Sequence, residues 1–144
     1  MSVRLTGRRG LPRVDRRLLR IRARRILRAL DHSAAELSVT LVDDSTMATL
    51  NARYREIECP TDVLSFSLVE GDHAERRGVL LGDVVVSLET AERQARRARR
   101  TLDDEVLRLL IHGTLHLLGY DHEDPVDGRR MRAAERRVLR AVRG

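Results

Sequence analysis

Residues Val106 to Leu118 form a run that is apolar on nearly every side of a helix, yet it carries two histidines, His112 and His116. A helix with no polar face belongs in the middle of a protein, so the rest of the chain must be arranged around this one. Placing imidazoles on such a helix is expensive unless something satisfies them, and a metal ion would do so. His112 and His116 stand at i and i+4 and therefore share a face. Gly119 permits the left-handed turn that commonly ends a helix. His122 follows three residues later, where a reversed chain could return it toward the first two. Three of the five histidines thus fall at H-x3-H-x5-H spacing. Three converging imidazoles suit a borderline-soft divalent ion such as zinc, and leave a fourth position for water, as catalytic sites do. His32 and His73 have no such company and read as surface residues.

The chain of 144 residues is long enough for one domain with one core, and residues 1–144 are read as a single domain. Tyr54, Tyr120 and Phe66 are its only aromatics, so that core must be built from Leu, Val, Ile and Ala. No apolar run approaches the roughly 20 residues that span a bilayer, and Met1 to Gly7 lacks the apolar stretch of a secretory signal. Cys59 is the sole cysteine, which rules out an internal disulfide. A cytoplasmic location is expected. All 28 basic residues are arginine and the net charge is +6, which attracts polyanions. The arginines cluster at 16–28, 93–100 and 129–143. A single such cluster is ordinarily a solvated helix face; three together favour a nucleic-acid partner, although base-stacking aromatics are scarce.

Alternation and periodicity organise the remainder. Residues 2–6 suit a short strand, 14–30 an amphipathic helix with Leu19, Ala23, Ile26 and Leu27 on one side, and 37–42 a strand. Asp44 or Ser45 can cap a following helix carrying Met47, Leu50 and Tyr54. Residues 60–68 and 79–88 are β-rich and suit an antiparallel hairpin, with Gly82 marking a bulge or a close backbone approach. Residues 89–100 look helical. Thr101-Leu-Asp-Asp104 resembles a capping box ahead of the central helix, and Asp127 can cap a last one. The expected architecture is α/β (α+β): a small mixed four-stranded sheet flanked by helices, with a buried central helix bearing the metal ligands.

A metal-bound water ionises near neutral pH, so hydrolysis is the natural chemistry. The ligand spacing also matches the metzincin peptidases. Those enzymes place a glutamate general base directly after the first histidine, where this chain has Gly113. Glycine cannot carry a proton, which demotes the peptidase reading. A phosphodiester is the more plausible substrate, because a metal and an arginine together can stabilise the extra negative charge at phosphorus. Arg55, closing Leu50-Asn-Ala-Arg-Tyr-Arg55, is the candidate. Asp121 could orient a ligand imidazole or simply shape the turn. Asp62 and Asp83 read as structural, and Cys59 as an ordinary small side chain. No Gly-x-Ser-x-Gly elbow or phosphate-cradling glycine loop is present.

These residues resemble the bacterial YbeY family of metal-dependent endoribonucleases. His112-Gly-Thr-Leu-His116-Leu-Leu-Gly-Tyr-Asp-His122 is similar to the family's metal signature. Leu50 to Arg55 followed by Pro60-Thr-Asp-Val-Leu-Ser-Phe66 is similar to a second, and Leu81-Gly-Asp-Val-Val-Val-Ser87 to a third. The resemblance implies one zinc per chain on His112, His116 and His122, with Arg55 as the functional arginine. It implies cleavage of single-stranded RNA in maturing small-subunit ribosomal RNA and in ribosome quality control, alongside the small ribosomal subunit and its assembly factors. Ser67 stands where the family usually has proline, which predicts a local change in strand geometry. Two other readings remain at this point: a non-catalytic RNA-binding assembly factor with a structural zinc, and a metallopeptidase lacking the usual base.

Overall fold

The computed structural model describes residues 2–7, 10–55, 61–67, 80–120 and 124–143. Nine elements follow in order among them: β1 (Ser2–Gly7), α1 (Arg16–Ala29), β2 (Glu36–Val42), α2 (Asp44–Arg55), β3 (Val63–Ser67), β4 (Leu80–Ser87), α3 (Leu88–Ala98), α4 (Leu102–Leu117) and α5 (Pro125–Arg143). The four strands form one sheet in the order β1-β2-β4-β3. β1 and β4 both run parallel to β2, while β3 pairs antiparallel with β4. The expected mixed sheet and the expected hairpin are both present.

The sheet covers its two faces unequally. Leu37, Val39 and Leu41 of β2, with Val84 and Val86 of β4, face the main core, which they share with α1, α3, α4 and α5. Val42, Leu64, Val85 and Met47 form a second, smaller cluster with α2. Alternating strand residues thus divide between the two, as the pleat requires.

Gly82 marks both features expected of a glycine inside a strand. The β2–β4 register shifts there, Glu36 pairing with Leu80 and Leu37 with Gly82, so Leu81 is the extra residue of a bulge. Gly82 takes φ +153°, and a Cβ at that position would overlap the Phe66 carbonyl oxygen on β3.

The central helix is where its composition requires. α4 packs against α1, α3, α5, β3 and β4. Thr101 caps its start, its side chain accepting the Asp104 amide at 3.1 Å. Its end is closed at Gly119, φ +93°, where Gly119 N–H donates to the His116 carbonyl and Tyr120 N–H to the Leu115 carbonyl, each at 3.0 Å.

Two caps differ from expectation. Asp43, not Asp44 or Ser45, caps α2 by accepting the Thr46 amide at 2.8 Å. Asp124, not Asp127, caps α5 by accepting the Asp127 amide at 2.9 Å, with Pro125 at the first helical position, where its missing N–H costs nothing.

Candidate metal centre and the adjoining cleft

From Glu105 to Leu117 every residue of α4 is buried except three, and these recur every fourth position: Arg108, His112 and His116. The helix therefore has a single line open to solvent, and both predicted histidines lie on it.

The two rings converge. His112 Nε2 and His116 Nε2 stand 3.1 Å apart, with ring centroids 4.7 Å apart and planes at 77°. Two nitrogens bound to one tetrahedral zinc, each at about 2.0–2.1 Å, are separated by roughly 3.3 Å, so this spacing fits one shared cation. His112 Nδ1 lies 3.3 Å from Glu135 Oε1 on α5. A carboxylate only accepts, so it selects the tautomer with the proton on Nδ1 and the lone pair on Nε2, the form a metal ligand needs. The hydrogen bond to Glu135 raises the His112 pKa above its ordinary value. Burial opposes this rise, and the charges of Glu135 and Asp62 add to it.

Gly113, beside His112, faces the sheet. A Cβ there would lie 2.7 Å from Val84 Cγ1, 3.1 Å from Ser65 Oγ and 3.2 Å from Val63 Cγ2. Its carbonyl accepts from Ser65 Oγ at 2.8 Å. The position that carries the metzincin glutamate is here an inter-element contact, and a side chain on it would meet β3 and β4 instead of a substrate.

The described residues place two of the three predicted ligands together. His122, with Asp121, lies outside them, as do Cys59 and His73. Among the described residues no group of three His, Cys, Asp or Glu could hold a metal ion. Arg55 ends α2, but its side chain is outside the description, as is that of Ser67. His32, expected at the surface, is half-buried behind α1 and bonds by its backbone N–H to the Leu27 carbonyl at 2.8 Å.

Glu135 had no marker in the sequence. It sits among the arginines of α5 and acquires its role only because α5 packs on α4. Asp62 was read as structural, and its side chain does accept the Val63 amide at 2.8 Å and Gln94 Nε2 at 3.3 Å. It also borders a cleft of about 320 Å³ beside His112. Arg100, Arg108, Arg132, Arg136, Glu105 and Glu135 share in lining that cleft.

Comparison with known proteins agrees with this architecture. A family model described as Endoribonuclease YbeY matches residues 13–143. The Endoribonuclease YbeY of Anaeromyxobacter sp. (strain Fw109-5) is 48% identical over 141 residues, covering 98% of this chain and 72% of that protein. The one from Thermobifida fusca (strain YX) is 43% identical over 145 residues, covering 96% and 92%. The solution structure of TM1509 from Thermotoga maritima superposes with a TM-score of 0.67 at 28% identity, covering 97% of this chain and 88% of that one. Fold and relatives together define a small α/β endoribonuclease. The chain belongs to the YbeY family.

Proposed function

We propose that this endoribonuclease is zinc-dependent, acts on single-stranded RNA, and matures small-subunit ribosomal RNA, with a further role in ribosome quality control. The observation that carries the metal reading is the 3.1 Å approach of His112 Nε2 to His116 Nε2, with Glu135 behind the first ring. Imidazole donors on a helix suit zinc, and His122 is the third ligand in this reading. One zinc per chain would supply Lewis acidity and a water that ionises near neutral pH.

The chain's own residues supply the rest. Glu135 holds the His112 ring in its ligand tautomer. The buried body of α4 keeps the two rings at fixed separation. Arg55 places a guanidinium against the extra negative charge that develops at phosphorus, a task for which a planar, permanently charged group is suited. The arginine-rich surface draws the RNA in. Gly113 speaks against a peptidase, because no base can occupy its place without displacing Val84 and Ser65. No helix among the described residues is long and apolar enough to cross a membrane. In this reading the enzyme works in the cytoplasm, beside the small ribosomal subunit and its assembly factors.

The test is cleavage of a single-stranded RNA with and without a chelator, using His116→Ala to exclude contaminating nuclease. Chelation and the substitution should each abolish cleavage. Undiminished cleavage by the metal-free protein would overturn the metal reading.

A further inference from the structure

The third position of the solvent line on α4 has no role in the chemistry above. Arg108 lies one turn before His112, and its Nε is buried without a hydrogen-bond partner. It is the sole buried side-chain nitrogen or oxygen in that condition among the described residues. A guanidinium offers five donors, and one left unmet at a buried site calls for an acceptor.

Arginines outnumber carboxylates in the cleft beside it, four to three. Its carboxylates are all engaged: Glu105 pairs with Arg100 at 3.0 Å, Glu135 holds His112, and Asp62 accepts from Val63 and Gln94. Among the described residues, no carboxylate comes within ion-pair distance of Arg108, Arg132 or Arg136. Arg132 and Arg136 stand one turn apart on α5 and line the same cleft as Arg108 and His112. Three guanidinium groups that make no ion pair among the described residues therefore border one hollow. No Phe, Tyr or Trp lines the hollow, and its one ring, His112, is held at Nδ1 by Glu135, so the lining suits a phosphate better than a stacked base. It lies on the Nδ1 side of His112, away from the point where the two Nε2 atoms meet.

We infer that Arg108, Arg132 and Arg136 form a subsite for a backbone phosphate of the RNA, flanking the phosphate that is cleaved. This rests on the endoribonuclease reading for its substrate, but not on the metal. The subsite positions the strand, and its arginines take no part in bond breaking. Guanidinium forks match phosphate oxygens in pairs, which suits this task better than point charges would.

The experiment is equilibrium binding of a single-stranded 2′-O-methyl RNA, which keeps the backbone phosphates, to full-length protein across a salt series. The double variant Arg132→Ala/Arg136→Ala should bind about tenfold more weakly at low salt. Its dependence of log affinity on log salt should become shallower by about 0.7 for each phosphate that is no longer neutralised. Arg108→Lys should also weaken binding, since it keeps the charge and replaces the planar guanidinium fork with a point charge. If that variant does not fold, the exposed α5 pair still decides the matter. The pair Arg4→Ala/Arg13→Ala, exposed and outside the three arginine clusters, removes the same charge away from the cleft and should bind within about twofold of the unaltered protein. Unchanged affinity and slope in the α5 pair would overturn the subsite, as would an equal loss in the Arg4/Arg13 pair. Protein that binds the strand through the α5 pair yet never cleaves RNA would sink the endoribonuclease reading and leave the subsite standing.

Discussion

Ser65 Oγ donates to the Gly113 carbonyl at 2.8 Å, tying β3 to the central helix one residue from His112. A Cβ on Gly113 would crowd the same hydroxyl at 3.1 Å and Val84 Cγ1 at 2.7 Å, so this close approach of helix to sheet relies on a bare glycine. The same contact that brings the helix onto the sheet sets the height at which the histidines stand above it.

Gly113→Ala should therefore destabilise the protein by about 1–3 kcal/mol, the usual cost of forcing extra volume into a packed contact. The new methyl would lie 2.7 Å from Val84 Cγ1. Thermal or urea denaturation measures this directly. Gly113→Glu should be worse still and should show no peptidase turnover on casein. A stable, proteolytic Gly113→Glu variant would contradict the packing described for this position.

Metal and arginine should separate cleanly. His116→Ala should lose bound zinc and RNA cleavage together. Arg55→Ala should retain about one zinc per chain while losing cleavage. Elemental analysis alongside a cleavage assay distinguishes them, and normal cleavage by the Arg55 variant would remove that residue from the mechanism.

Glu135→Gln keeps the shape of the side chain but not the carboxylate that orients His112. Losing such a partner behind a ligand typically costs about 10–100-fold in metal affinity. Competition with a chromogenic chelator should show this loss with thermal stability nearly unchanged. Equal affinities would mean that the ring is held by other means.

Asp44 supplies a pH signature remote from the site. Burial pushes its pKa up, but hydrogen bonds from Thr90 and Ser87 and the Arg93 guanidinium outweigh this and hold it below the ordinary 3.8. The Ser87 and Thr90 hydroxyls approach to 2.7 and 2.6 Å, and Arg93 to 2.8 Å. A carboxyl whose folded pKa is depressed stabilises fully above its unfolded pKa and loses that contribution as pH falls through the folded value. Asp44→Asn should therefore lower stability at pH 7 by about 1–3 kcal/mol. The gap between variant and parent should close progressively below about pH 4. A gap as wide at pH 3 as at pH 7 would refute this account.

The sequence exposed those features that depend on local chemistry. The all-round apolarity of residues 106–118 announced a central helix, and the i, i+4 pair on it announced the converging rings. Thr101, Gly119 and Gly82 each showed their part because a cap, a left-handed turn and a bulge have narrow residue preferences. Cap positions slipped by one to three residues where acids crowd together, as at Asp43-Asp44 and at Asp124 to Asp127. Glu135 and Arg108 stayed hidden for another reason. A glutamate among arginines and an arginine on an apolar helix look alike in any sequence, and only the docking of α5 against α4 gives them a cleft to face.

The extra residue in β4 decides which side chains the strand offers to each layer. An unbroken pleat would turn Leu81 the same way as Val85, toward the minor layer. Inserting one position reverses the phase, so Leu81 joins Val84 and Val86 beneath α4, while Val85 keeps its place opposite Leu64 on the other side. Removing Leu81 would leave an unbroken ladder, with Glu36 opposite Leu80 and Leu37 opposite Gly82, and would take from the main core the one side chain that the bulge turns into it.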